Sequence, residues 1–196
     1  LPQKRSRVLI FATTEPVPND FRDTYTSNSV KTLFDDIYLK SGVPHYQSTL
    51  DILTKQVELK YYLSEKIKPT ILADGSAKFK SKSDINQSIA RTLTASMHKM
   101  HRACQDNYYS QDFIESHGAV NPVLTHTKEQ LSTLPIRKLT PEEAFMLQGF
   151  PCWYATNARK AGVADGSLYK QAGNAVSVNV IYAVLYYLIK RQIIHE

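Results

Sequence analysis

Apolar and polar positions along this chain fall into two well-marked ends and a mixed middle. Near the start, RVLIFAT (7–13) is continuous, β-branched and aromatic, which predicts a strand buried on both faces. Such a strand needs neighbours, and nothing upstream of it supplies them. TEPVPND (14–20) is turn-rich and marks a boundary. From about 20 to 135 the segments are short. Residues 34–39 and 50–63 carry weak signals, Gly75 and SKSD (81–84) predict loops, and IARTLTAS (89–96) has the β-branched content of a strand. The last third is sharper. Thr140 predicts a helix cap, Pro141 fits the first turn, and Glu143 completes a capping box. That helix should stop at Gly149, a natural left-handed terminator, with a loop from there to about Ser167. Gly173 and Asn174 are then expected to turn into a final helix, where Val176, Val180, Val184 and Leu188 recur at four-residue spacing.

Composition narrows the class. A chain of 196 residues, 42% hydrophobic and 21% charged, has enough apolar material for a core in one domain, or in a small domain plus part of another. Two cysteines, Cys104 and Cys152, are too few for a disulfide scaffold. VLIFA is too short for a signal peptide, and the apolar run at 175–189, interrupted by Ser177 and Asn179, falls short of a membrane span. A soluble, intracellular protein without a membrane partner is expected. The formal charge is +6, and it is uneven: residues 54–104 hold ten basic against four acidic side chains, and the remainder balances. A basic middle suits a polyanion, although a solvated lysine-rich face gives the same count.

Three motifs now stand in order. PQKRSRVLIFA (2–12) resembles the eighth conserved motif of the DNA (cytosine-5) methyltransferases, Gln-x-Arg-x-Arg before a strand. IRKLTPEEAFMLQGFP (136–151) resembles their ninth motif and YKQAGNAVSVNV (169–180) their tenth. TLTA (92–95) lies where the family's target recognition domain often carries Thr-Leu-x-Ala. The resemblance is close at the two ends and positional in the middle, where about 120 residues separate the eighth motif from the ninth. It implies an α+β chain: a small mixed target recognition domain plus the terminal strand and helix of an incomplete S-adenosylmethionine-dependent methyltransferase α/β domain. The implied boundaries are 1–14 for the end of the catalytic domain, 15–164 for the recognition domain with the ninth-motif helix, and 165–196 for the returning turn and helix.

The family's chemistry flips a cytosine out of duplex DNA, because ring atoms inside the stack are out of reach. A cysteine thiolate then adds to carbon 6, which makes carbon 5 nucleophilic enough to take the methyl group. This sequence has no Gly-rich cofactor loop, no Pro-Cys with the usual Gln, and no Glu-Asn-Val. The resemblance therefore implies the DNA-recognition half, with the catalytic cysteine and most of the S-adenosylmethionine site in an amino-terminal half or subunit. Alone, the chain is expected to be inactive. The missing initiator Met favours a fragment. Gly149-Phe-Pro-Cys152 imitates the catalytic Pro-Cys but closes the ninth motif, so Cys152 is expected to be an ordinary thiol.

Residue roles follow from the same resemblance. Gln3, Arg5 and Arg7 alternate and would share one strand face; Arg7 would reach the flipped cytosine's exocyclic oxygen, while Gln3 and Arg5 shape the site or hold phosphate. Arg91, Thr92, Thr94, Lys99 and Arg102 are the DNA-binding candidates, with Thr92 beside a backbone phosphate. Arg137, Glu143 and Gln148 would organise the recognition domain, and Met146 stands where many relatives have Arg. Asn174, Ala175 and Val176 would line the S-adenosylmethionine pocket at a helix amino terminus. His98, His101 and Cys104 have suggestive spacing, but no second cluster completes a zinc site, so no metal is expected. A DNA-binding module that keeps the fold without methylation is the rival reading, and a scaffold binding only protein is a third. In a bacterium the expected location is the cytoplasm, at the nucleoid.

Overall fold

A computed structural model of the chain describes residues 1–14, 16–75, 78, 81–99, 101–102, 104–117 and 126–194. In chain order the elements are α1 (Phe21–Thr24), α2 (Ser27–Asp35), 3₁₀ turns at Tyr38–Lys40, Thr49–Asp51 and Leu59–Tyr61, α3 (Lys68–Leu72), β1 (Tyr108–Ser110), α4 (Gln111–Glu115), α5 (Lys128–Thr133), β2 (Ile136–Lys138), α6 (Pro141–Met146), α7 (Cys152–Lys160), α8 (Asp165–Asn174) and α9 (Val178–Lys190). β1 and β2 pair antiparallel, with Tyr109 opposite Arg137, and Tyr62 bridges to the other edge of Arg137.

The start of α6 forms as its sequence predicts. Thr140 Oγ1 accepts the Glu143 N–H at 3.3 Å while the Glu143 carboxylate accepts the Thr140 N–H at 2.8 Å, so two orphan donors are satisfied reciprocally. Gly149 closes the segment at φ +84°, a conformation that suits glycine. Helix α6 packs on α7 and α8. The largest apolar cluster gathers Leu93, Tyr109, Phe145, Leu147, Leu168 and Tyr169 around it. A second cluster, including Leu63, Ile71, Tyr108 and Ile136, lies under α3 and α5. The third joins Phe21 to Tyr187, Leu188 and Ile193, and through it α2 packs against α9. Segments 20–35 and 178–194, far apart in sequence, thus share one core.

Four expectations are overturned. Residues 7–13 form no strand: Gln3 makes a single parallel bridge to Ala90, while Val8 and Ile10 stand 86% and 90% exposed. A strand is made by the ladder it shares with a neighbouring strand, and among the described residues no strand or bridge pairs with 7–13. IARTLTAS contributes only that bridge, because its other backbone bonds go to the Arg5 and Asn107 side chains and, from Thr94 and Ser96, into the turn that follows. The span expected to be a loop holds α7 and the start of α8. Gly173 and Asn174 close α8 instead of opening the last helix, whose cap is Ser177.

By length and composition alone the stretch Asp165–Lys190, which holds an 18-residue window of mean hydropathy 1.5, could cross a membrane. It is nevertheless two helices parted at residues 175–177, and α8 buries Leu168, Tyr169 and Ala172. In α9 the four-residue series is covered only towards its end: Leu188 is buried and Val184 packs beside it, but Val176 and Val180 are exposed.

At the centre, Arg137 and Glu143 are fully buried and meet through two 2.8 Å bonds. Glu143 also accepts the Thr54 N–H at 2.7 Å, and Arg137 donates to the Thr54 and Lys138 carbonyls. Breaking such a pair from one side strands the other charge, so Glu143→Gln is expected to lower the unfolding free energy by about 3–5 kcal/mol. The double variant Arg137→Met with Glu143→Met should stay comparably destabilised, because the Thr54 and Thr140 groups lose their partners too. Urea unfolding of the three proteins checks this, and a double variant restored to the original stability would contradict it.

Candidate functional site

Three segments distant in sequence meet beside the core: residues 1–5, 90–95 and 173–175. The first two are joined by Ala90 N–H donating to the Pro2 carbonyl and Lys4 N–H donating to the Ala90 carbonyl, both at 2.8 Å, and by the Thr92 hydroxyl donating to the Lys4 carbonyl. Arg5 reaches the third. Its Nη1 donates to the Leu93 carbonyl at 3.2 Å, and its Nη2 to the Gly173 and Ala175 carbonyls at 3.1 and 2.8 Å. Burial, and then the neighbouring Arg7 charge, lower the Arg5 pKa. The second and third segments touch without side chains between them. A methyl group on Gly173 would lie 2.3 Å from the Thr94 carbonyl carbon and 2.4 Å from the Ala95 nitrogen.

Helix α6 sets the position of this junction. Gln148, fully buried at its end, donates through Nε2 to the Ala172 carbonyl at 3.0 Å, and its own carbonyl accepts the Val178 N–H at 2.8 Å. One residue thus holds the end of α8 and the start of α9. Gly149 packs so closely on Asn179 that a side chain there would collide with Oδ1, and Asn179 donates onward to the Pro44 carbonyl at 2.7 Å.

The candidate side chains separate into two kinds. Gln3 and Arg5 are half-buried, Arg5 wholly engaged in carbonyl contacts on its Nη atoms, while Arg7 is exposed. Arg91 is tied into the chain: its backbone pairs with the Asn107 side chain and its guanidinium donates to the Asp106 carbonyl at 3.3 Å. Arg102 donates to Thr94 Oγ1 at 2.8 Å and pairs with the Asp106 carboxylate at 3.1 Å. Burial raises the Asp106 pKa, and Arg102 opposes that rise. Lys99 and Thr92 are exposed, as are Asn174 and Val176 on either side of the half-buried Ala175. His98 lies parallel to Tyr169 and His101 bonds Tyr108 at 3.2 Å; among the described residues no three His, Cys, Asp or Glu side chains are grouped to hold a metal. Cys152 is exposed at the start of α7.

The structure adds Lys138, which the sequence reading passed over. It lines a cavity of about 20 Å³, room for one water, together with Thr92, Thr94, Asp106, Tyr108 and Tyr169. Its ammonium sits 5.4 Å over the Tyr169 ring, and burial lowers its pKa. Strand alternation was the available signal: Arg137 faces the core, so its neighbour on β2 must face the other way.

The sequence model described as C-5 cytosine-specific DNA methylase matches residues 1–190. The chain belongs to that family. Among named relatives, it is 41% identical over 61 residues to the orphan methyltransferase M.SPRI of Bacillus phage SPR, a match covering 31% of this chain and 14% of that protein. It is 44% identical over 59 residues to the type II methyltransferase M.HpaII of Haemophilus parainfluenzae, covering 30% and 15%. In fold it is similar to the Entamoeba histolytica methyltransferase EhMeth, with a TM-score of 0.53 at 21% identity over 76% of this chain and 42% of that one. The Dnmt2 methyltransferase of S. pombe gives 0.52 at 17% identity, over 81% and 46%. The methylase-family chain therefore spans less than half of these solved relatives and matches about one seventh of the named ones.

The close approach at Gly173 makes a direct prediction. Gly173→Ala should destabilise the protein by about 1–3 kcal/mol, because the Thr94–Ala95 backbone must move. Gly166→Ala, in the same helix, would meet only the His98 ring, at 3.3 Å; it should change stability by less than about 1 kcal/mol. Denaturant midpoints of the two variants check the difference.

Proposed function

We propose that this chain is the DNA-recognition part of a DNA (cytosine-5) methyltransferase. It positions duplex DNA and a flipped cytosine, and the catalytic cysteine and most of the S-adenosylmethionine site are contributed by a segment amino-terminal to it. The observation that carries this reading is the junction. It brings the Gln3–Arg7 segment, the Thr92–Thr94 element and the Asn174–Val176 turn to one place, in a chain whose family match runs from end to end.

In this reading Arg7, exposed and next to the held Arg5, donates to the exocyclic oxygen of the flipped base. Its planar guanidinium stays charged and fits an oxygen acceptor. Lys99 and Lys138 face backbone phosphates, which fix register without reading sequence, and Thr92 joins them once its hydroxyl turns from the Lys4 carbonyl. Arg91, Thr94 and Arg102 hold the shape of that element through the bonds described above, and the order of the segments 91–95 and 104–107 is their contribution to DNA binding.

The residues available to S-adenosylmethionine fit one wall of a site. Asn174 and Val176 are exposed beside a turn whose carbonyls are fixed, and Ser177 Oγ is buried there without a partner. When bound, the cofactor would supply the methyl group. Asn174, Ala175 and Val176 would hold it in place and exclude water from its side.

The outer face of α9 supports a partner segment. Val180, Ile181 and Leu185 are exposed together on that helix. Val8 and Ile10 are exposed as well, and a methyltransferase α/β sheet would cover apolar side chains of this kind.

Labelled methyl transfer to mixed-sequence DNA, by this chain alone and with the amino-terminal segment of a relative added, tests the reading. Activity only in the mixture is expected. Silence in both, with the two parts associated and DNA bound, would favour a binding module without methylation.

In the active assembly, Arg7→Ala should cut methyl transfer by about 100-fold or more while DNA affinity changes by less than about fivefold. Equal losses in the two would remove the base contact. Cys152→Ser should leave activity nearly unchanged, and a dead variant would move the nucleophile into this chain.

A further inference from the structure

We propose that Arg5 is a positioning residue that couples the cofactor side of the site to the DNA side. The inference rests on the functional reading above and goes beyond it, since a residue grouped with the base- and phosphate-contacting arginines is given a different task.

The guanidinium binds peptide carbonyls in two places at once. The Gly173 and Ala175 carbonyls flank Asn174, so holding both fixes the peptide planes around an exposed amide side chain. The Leu93 carbonyl lies between Thr92, whose hydroxyl bonds the Lys4 carbonyl, and Thr94, which accepts from Arg102, so the third bond fixes the peptide that joins the element's two threonines. Behind the arginine, Gly173 rests directly on the Thr94–Ala95 backbone with no space for a methyl group. No side chain there can cushion relative movement. A displacement of the 92–94 element therefore shifts the 173–175 turn, and the reverse. Packed segments with no slack transmit strain in this way.

The geometry also separates Arg5 from Arg7. Both are cationic and two residues apart, but Arg5 directs its two Nη atoms at three carbonyls, whereas Arg7 is exposed. A phosphate ligand needs only positive charge and donors, a role in which lysine substitutes. A clamp on three fixed carbonyls needs the rigid planar fork, and lysine, a point charge on a flexible stem, does not reproduce it.

The experiment measures binding of S-adenosylhomocysteine, an unreactive probe, to the assembled methyltransferase with and without a duplex oligonucleotide, for wild type, Arg5→Lys and Arg5→Gln. In wild type, DNA should tighten the probe by about tenfold, within the usual range of coupling between sites. In both variants that factor should fall to within about twofold of one, while each ligand alone stays within about threefold of wild type. Retained coupling in both variants would overturn the proposal. So would recovery of coupling by Arg5→Lys, which would assign charge as the cause, and so would a wild type that binds both ligands independently. If the variants lose both affinities along with their unfolding temperature, Arg5 is a structural residue and the proposal fails while the functional reading stands. A wild type that binds neither ligand would overturn the functional reading and this inference with it.

Hydrogen exchange on the same proteins gives a readout independent of either ligand. Arg5→Lys should speed exchange at residues 173–177 and 91–95 together by about tenfold, leaving α6 protected. Acceleration confined to one segment would contradict the coupling.

Discussion

The buried Arg137–Glu143 pair is the constraint on which the rest of the arrangement hangs. Two charges removed from water cost several kcal/mol each unless every donor and acceptor finds a partner. Here the carboxylate accepts from Arg137 twice and from the Thr54 and Thr140 N–H groups, and the guanidinium adds the Thr54 and Lys138 carbonyls, so that of the pair's polar atoms Arg137 Nε is left without a partner. That set of bonds exists in one relative placement of strand β2, helix α6 and the 54–62 loop. The pair therefore acts less as a source of net stability than as a selector of geometry, since other placements leave a charge unpaired.

From α6 the constraint passes to the site through polar contacts that also have one solution. Gln148 joins the end of α8 to the start of α9, Gly149 lets Asn179 approach, and Gly173 seats the turn on the 92–95 backbone. Apolar packing could slide by fractions of an ångström at little cost, but amide-to-carbonyl bonds at 2.7–3.0 Å cannot. The separation of roles among neighbouring arginines follows. Arg137 builds the core, Arg5 joins segments, and Arg7 is left exposed. Three identical side chains differ because the carbonyls within their reach differ.

The apolar surface has a complementary logic. Val8, Ile10, Val180, Ile181 and Leu185 are exposed in this chain, though their residue types are those of a core. Methyltransferase chains of similar fold extend well beyond the length that this chain covers, 42% of one and 46% of another. The motif 2–12 keeps the sequence of an interior strand, and among the described residues no strand pairs with it. Its Gln3 end is held by Ala90, and its Val8–Ile10 end is not.

What the sequence determined by itself was local or carried by ordered motifs. The α6 capping box, the Gly149 stop and the family to which the chain belongs were legible, because each depends on a few residues at fixed spacing. Helices α7 and α8 were missed, since Gly and Pro in GFP and the glycines at 162 and 166 read as loop while the burial of Ala155, Leu168 and Ala172 outweighs propensity. The segment 7–13 failed in the opposite direction, with strand-forming residues and, among the described residues, no paired strand. Likewise the roles of Arg5 and Lys138 were invisible in order alone. Side-chain function there depends on carbonyls and a ring brought from about 30 to 170 positions away, and only the tertiary structure decides which of them arrive.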